Sequence, residues 1–218
     1  PAVWKNNLAT SYKHLNRIES KKHRAIEWTE LPKFVKQVAA LDQPIGSRPD
    51  AKCMLFMILT VSRPQEAILA DWEEIDLEAK VWHQPKGKYK SKKLDWAVPL
   101  CPAAIRILKA QRSYARRQGR IFSTLNGSEF YSAALSSMPD ALGFDAVAHG
   151  FRSTFRTWGQ DQTKSRTDTN QKYSEEALEL SMKHVETAAT RAAYARSQLL
   201  EPRRRILEDY EKYAMKDI

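Results

Sequence analysis

The run CMLFMILTV, residues 53–61, constrains this chain more than any other stretch. Nine residues cannot cross a bilayer, which takes about 20 in a helix. They offer no polar face to water, so the segment reads as a helix buried on all sides. Other elements must be laid around it. The 218 residues suffice for one large domain, or one domain with a remnant of another.

The flanks supply those elements. In EWTELPKFVKQVAAL, Leu31, Phe34, Val35, Val38 and Leu41 recur at helical spacing, with Thr29 as the expected cap. DQPIGSRPD, 42–50, reads as a loop, and the buried helix as roughly 51–61. Pro64 fits the first turn of a third helix running through EAILAD. The period then changes. EEIDLEAKVWHQP offers two short strands with a turn between, and LDWAVPL a third. Between the last two lies KGKYKSKK, 86–93, so the simplest arrangement is a three-stranded antiparallel sheet with a lysine-rich hairpin tip. Pro102 opens a helix that Gly119 closes. IFSTLNGSEFYSAALSSM gives a strand or loop and then a helix. From His149 the pattern is helical to the end, interrupted by DQTKSRTDTNQ, 161–171. The class is α+β, mainly helical, without internal repeats.

Charge narrows the partners. Thirty-six Lys and Arg against 26 Asp and Glu give a formal +10, which points first to a polyanion and second to an anionic membrane. Cys53 and Cys101 lack neighbours at metal-ligand spacing and read as reduced core thiols of a cytosolic chain. The start has no secretory pattern and no initiator Met, and residues 1–24 are polar and basic. A piece of a longer protein, beginning in a linker or the tail of an upstream domain, is the expectation.

Four features carry chemistry. Arg63 lies between a buried helix and Pro64, where its planar guanidinium could grip two phosphate oxygens or pair with Glu66 in the next turn. In AHGFRST, 148–154, His149 and Arg152 share one helical face, with Arg156 continuing the line. Phe151, Phe155 and Trp158 anchor the opposite face. KGKYKSKK carries five lysines in eight residues, either a solvated loop that attracts phosphate or a tip that places one ammonium in a cleft. Last, LSMKHVETAATRAAYARS puts His184 ten residues before Tyr194, among Ala188, Ala189, Ala192, Ala193 and Ala195. A phenol attacks poorly at neutral pH unless cations and a proton acceptor stand nearby, and a half-buried packing tyrosine is the commoner case.

Taken in order, Arg63, the lysine hairpin, His149-x-x-Arg152, His184 and Tyr194 resemble the tyrosine recombinases, the phage-integrase family. The wording of TVSRPQE, DWEEIDLEAKVW, AVPL, HGFRSTF and AAYARS is similar to integrases of phages and genomic islands, over nearly the whole chain from about residue 25. The resemblance implies the DNA breaking-and-rejoining fold, with 25–218 as the catalytic domain and 1–24 as linker or upstream remnant. It implies that Tyr194 attacks a DNA phosphodiester to leave a 3′-phosphotyrosyl link and a free 5′-hydroxyl. Arg63, Arg152 and His184 would hold the phosphate, and His149 would accept the phenolic proton. A hairpin lysine would protonate the leaving oxygen; register points to Lys90, with Lys88, Lys92 and Lys93 open. Lys86, Lys88, Lys92, Lys93 and Lys183 would touch DNA. Neither cofactor nor metal is implied.

The implied partner is double-stranded DNA at attachment sites in a bacterial cytoplasm. The isolated domain would be a monomer and the full-length protein a homotetramer on DNA, with accessory bending or directionality proteins. Two other functions are a type IB topoisomerase-like relaxation of supercoils and a non-catalytic DNA-binding module. The sequence departs from the family at Gln65 and at Lys183, where small residues are usual, and in a longer, more polar 159–176. LEPRRRILEDYEKYAMKD carries Ile206, Leu207, Tyr210 and Ala214 on one face, fit to pack on its own domain or on a neighbouring protomer.

Overall fold

The computed structural model describes residues 23–42, 48–89, 95–114, 119–123, 132–163, 170–184 and 198–218. Its centre is the expected buried helix, α2 (Pro49–Thr60), every residue of which from Asp50 to Thr60 is buried. Helix α1 (Leu31–Leu41), α3 (Pro64–Ile68), α4 (Pro102–Tyr114), α5 (Ser132–Ala141) and α8 (Leu200–Ala214) surround it. A helix apolar all round has no solvent face, and burial on every side is its only stable setting. The single lysine it brings inside, Lys52, pairs with Asp42 at 3.1 Å.

Boundaries differ from expectation where proline sets them. Helix α1 is preceded by a 3-10 turn, Trp28–Glu30; Glu30 takes the cap position, and Pro32, not Thr29, fixes the start. Pro49 likewise starts α2 two residues early. Helix α3 ends at Ile68, short of Asp71, which instead bridges to Arg120.

The sheet is as expected. β1 (Ile75–Asp76), β2 (Val81–Gln84) and β3 (Trp96–Pro99) form an antiparallel meander, with Trp82 opposite Ile75 on one side and Val98 on the other. Glu74, itself buried, receives Trp82 Nε1 at 2.9 Å and Tyr89 Oη at 3.1 Å, and pairs with Lys88. The base of the lysine hairpin is therefore tied down by one carboxylate.

The last elements are α6 (Phe151–Asp161), α7 (Glu175–Ser181) and α8. Phe155 and Trp158 of α6 are buried against Tyr210 of α8, with ring centroids 5.0 and 4.9 Å away. Ile206, Leu207, Tyr210 and Ala214 are all buried, so the apolar face of this helix packs on its own domain. After α6, Thr163 and Gln171 are joined by an antiparallel bridge. Cys53 and Cys101 are free and buried; burial pushes the Cys101 thiol up to about 12, which keeps it protonated and inert. Among the described residues no helix is long and apolar enough to cross a membrane.

Candidate functional site

The site begins where α2 ends. Val61 closes that helix in the left-handed region, φ 51°, a strained conformation for a β-branched residue. That turn leaves the Val61 carbonyl facing Arg152 and delivers Arg63 to the cap of α3. On the other side, α7 ends at Met182 in a Schellman turn. Lys183 N donates to Leu180 O and His184 N to Glu179 O, both at 2.9 Å, with Lys183 at φ 59° where glycine is usual.

Arg152 ties these two helix ends together. Its Nη1 donates to Val61 O at 2.7 Å and its Nη2 to Met182 O, while Nη2 also lies 3.1 Å from His184 Nε2. Both accepting carbonyls belong to helix C-caps, where a cation is favoured by the helix dipole. The residue is 4% exposed, and burial first, then the Arg63 charge, push its pKa down to about 10. Among the described residues its Nε–H has no hydrogen-bond partner. A buried orphan donor on a charged group is costly and marks a place for an acceptor.

His149 lies not on α6 itself but in the 3-10 turn Ala148–Gly150 that leads into it. Its ring centroid is 4.3 Å from that of His23, tilted by 46°. Burial, then His23, Arg152, Arg63 and His184, push its pKa down to about 4. Those couplings place Arg63, His149, Arg152 and His184 around one centre. Burial, then Arg152, also lowers the His184 pKa, opposed by Glu179 Oε2 at 2.9 Å from its Nδ1. The Arg63 and His184 side chains stay 28% and 47% exposed, so the centre opens to solvent above a buried Arg152.

His149 thus stays a neutral imidazole across roughly pH 5–8. An NMR titration of its ring is expected to give a midpoint near 4. The folded-state pKa lies below the ordinary histidine value of 6.5, so this group's contribution to stability is present above about 6.5 and is lost as pH falls through about 4. A midpoint near 6.5 would contradict the burial.

Other residues singled out in the sequence land differently. Arg63 pairs with Glu66 as well as facing the centre, Nη1 to Oε1 being 3.3 Å. Arg156 leaves the line, held by Glu175 and Glu179. Lys86 is exposed. Lys88 is bound to Asp71 at 2.7 Å and to Glu74, and Lys183 to Glu66 and, at 2.8 Å, to Gln84. Both ammonium groups are occupied by neighbouring side chains rather than presented on an open face. Gln65 is exposed and leaves the α3 turn regular. Lys90, Lys92, Lys93 and Tyr194 lie outside the described residues.

A strap beside His149 has no signal in the local sequence. Residues 23–26 lie across the start of α6: Val147 N donates to Arg24 O at 3.1 Å and Thr154 Oγ1 to Ile26 O at 2.8 Å. Gly150 is the reason they can. A Cβ there would stand 2.0 Å from Arg24 O. Gly150→Ala is expected to destabilise the domain by about 1–3 kcal/mol, since backbone must shift to admit the methyl. An unchanged urea midpoint would refute this contact.

No protein-family model matches the sequence. The chain is 28% identical over 203 residues to prophage integrase IntA of Escherichia coli K12, covering 90% of this chain and 45% of that protein. It is 24% identical to the integrase of enterobacteria phage P4, over 91% of this chain and 47% of that one. The chain therefore spans about half the length of these relatives. Among solved structures, an integrase from mycobacterium phage Brujita superposes with TM-score 0.56 at 15% identity, over 81% of this chain and 55% of the other. XerH site-specific recombinase, solved in a post-cleavage complex with its palindromic difH substrate, gives 0.56 at 18%, over 85% and 54%.

Proposed function

We propose that the chain is a tyrosine recombinase catalytic domain that breaks and rejoins double-stranded DNA through a covalent bond to Tyr194, a reading supported by the integrase relatives and the shared fold. The observation that carries this is the buried Arg152 fork with its unmatched Nε–H, in one cluster with Arg63, His149 and His184. Such a cluster fits a phosphodiester, whose oxygens accept where the guanidinium still has a donor to give.

The Tyr194 oxygen attacks phosphorus, the bond to the 5′-oxygen breaks, and the 3′-phosphate stays on the phenol. His149, neutral at working pH, takes the phenolic proton. Arg63, Arg152 and His184 offset the charge gathering on the non-bridging oxygens. Lys90, which follows Tyr89 in the lysine-rich segment, protonates the leaving 5′-oxygen. Reversal with another strand's 5′-hydroxyl rejoins the DNA, so no net hydrolysis occurs.

The phage and prophage integrases among the relatives support a role in moving an element into or out of a chromosome, with the protein working on DNA in a bacterial cytoplasm as part of that reading. The DNA-bound neighbour supports duplex DNA as partner. Residues 1–24 would join the domain to upstream DNA-binding parts, with a homotetramer and accessory bending proteins acting at the attachment site. The test is incubation of the protein with a nicked suicide duplex bearing the element's attachment core. A covalent adduct on the 3′ side is the expected result. Relaxation of supercoiled plasmid without site preference would favour a topoisomerase, and neither product would leave a DNA-binding module.

A further inference from the structure

We propose that Lys183 is a positioning residue that occupies Glu66 and thereby keeps the Arg63 guanidinium available to the phosphate. The inference rests on the strand-breaking role given above for Arg63. Glu66 is buried on the first turn of α3 and could take that guanidinium for itself. Instead its Oε2 is held by Lys183 Nζ and, at 3.1 Å, by the Arg63 backbone N–H. Only Oε1 meets the Arg63 side chain, through one nitrogen at 3.3 Å. That is a long, single contact where a two-pronged one is the strong geometry.

The lysine is built into this place. Its side chain is 4% exposed, its Nζ reaches Gln84 Oε1 on β2 at 2.8 Å, and it lies 5.6 Å from the Trp82 ring centroid. Its backbone sits in the left-handed region, which glycine adopts freely and lysine does not. One ammonium thus links the turn bearing Arg63, the strand leading to the hairpin, and the residue before His184. Without it, the Arg63 guanidinium, already in contact with Oε1, would turn both prongs toward the Glu66 carboxylate.

The first readout needs no DNA: rotation about the Arg63 Cζ–Nε bond, followed by its side-chain nitrogen NMR signals. Lys183→Met is expected to slow that rotation as Glu66 grips the guanidinium, and Glu66→Gln combined with Lys183→Met to restore it. Cleavage of the suicide duplex should fall at least about tenfold in Lys183→Met, while DNA affinity changes far less, and should recover in the double variant. Should Lys183→Met fail to fold, Lys183→Gln, which keeps hydrogen bonding without charge, takes its place in both measurements. Unchanged Arg63 rotation in the folded single variant overturns the inference, as does a cleavage loss that the double variant does not recover. Wild-type protein that never cleaves, with Arg63 rotation responding as expected, would sink the strand-breaking role and leave the competition for Glu66 standing.

Discussion

Tyr194→Phe is expected to abolish the covalent DNA adduct entirely while leaving DNA binding within about twofold of wild type. At pH 7 only about one phenol in a thousand is ionised, given an ordinary pKa near 10. The reaction therefore depends on an oxygen activated by its surroundings, and phenylalanine has no oxygen to activate. Binding survives because the groups proposed to hold the phosphate, Arg63, Arg152 and His184, are untouched. Adduct measured by denaturing gel on a suicide duplex decides the matter. A normal adduct yield from the variant would move the nucleophile to another residue.

Arg152→Lys is expected to slow cleavage by about 10²–10³-fold, or roughly 2.7–4 kcal/mol, the usual loss when one transition-state donor is removed. The reason is geometric. Arg152 reaches the Val61 and Met182 carbonyls with separate nitrogens and still has Nε to offer. A lysine has one point of charge, which cannot satisfy two helix ends and a ligand together. Stability should fall as well, because a single ammonium cannot replace the two separate bonds to the C-cap carbonyls of α2 and α7. The two effects separate in single-turnover cleavage measured below the melting range of the variant. A rate within about tenfold of wild type, about 1.4 kcal/mol, would argue against a transition-state role.

Much of this fold is written locally. The apolar run at 53–61 had to be a buried helix, because nothing in it can face water. Alternation and turn residues sufficed for the three strands, since a one-residue slip would expose Trp82 or Val98. Boundaries escaped where a proline or a left-handed turn overrode the apolar pattern, as at Pro32, Pro49 and Val61. The site was legible as a list of residues, but not in its supports. Glu66 was visible only as a neighbour of Arg63, whereas its contact with Lys183 spans more than a hundred positions. Nothing local marks Arg24 as the backbone that Gly150 must admit.

The sequence by itself determined the order of cations, imidazoles and phenol, and the patterns that make one helix the centre and one meander its flank. Those follow from residue type and spacing, which act over a few residues. Which cations face the open centre and which are spent on carboxylates was decided only in three dimensions. Arg63 and Arg152 surround the centre, while Lys88, Arg156 and Lys183 are held by Asp71, Glu74, Glu66, Glu175 and Glu179. Attraction between charges depends on distance and burial in the folded chain, and separation along the sequence sets neither.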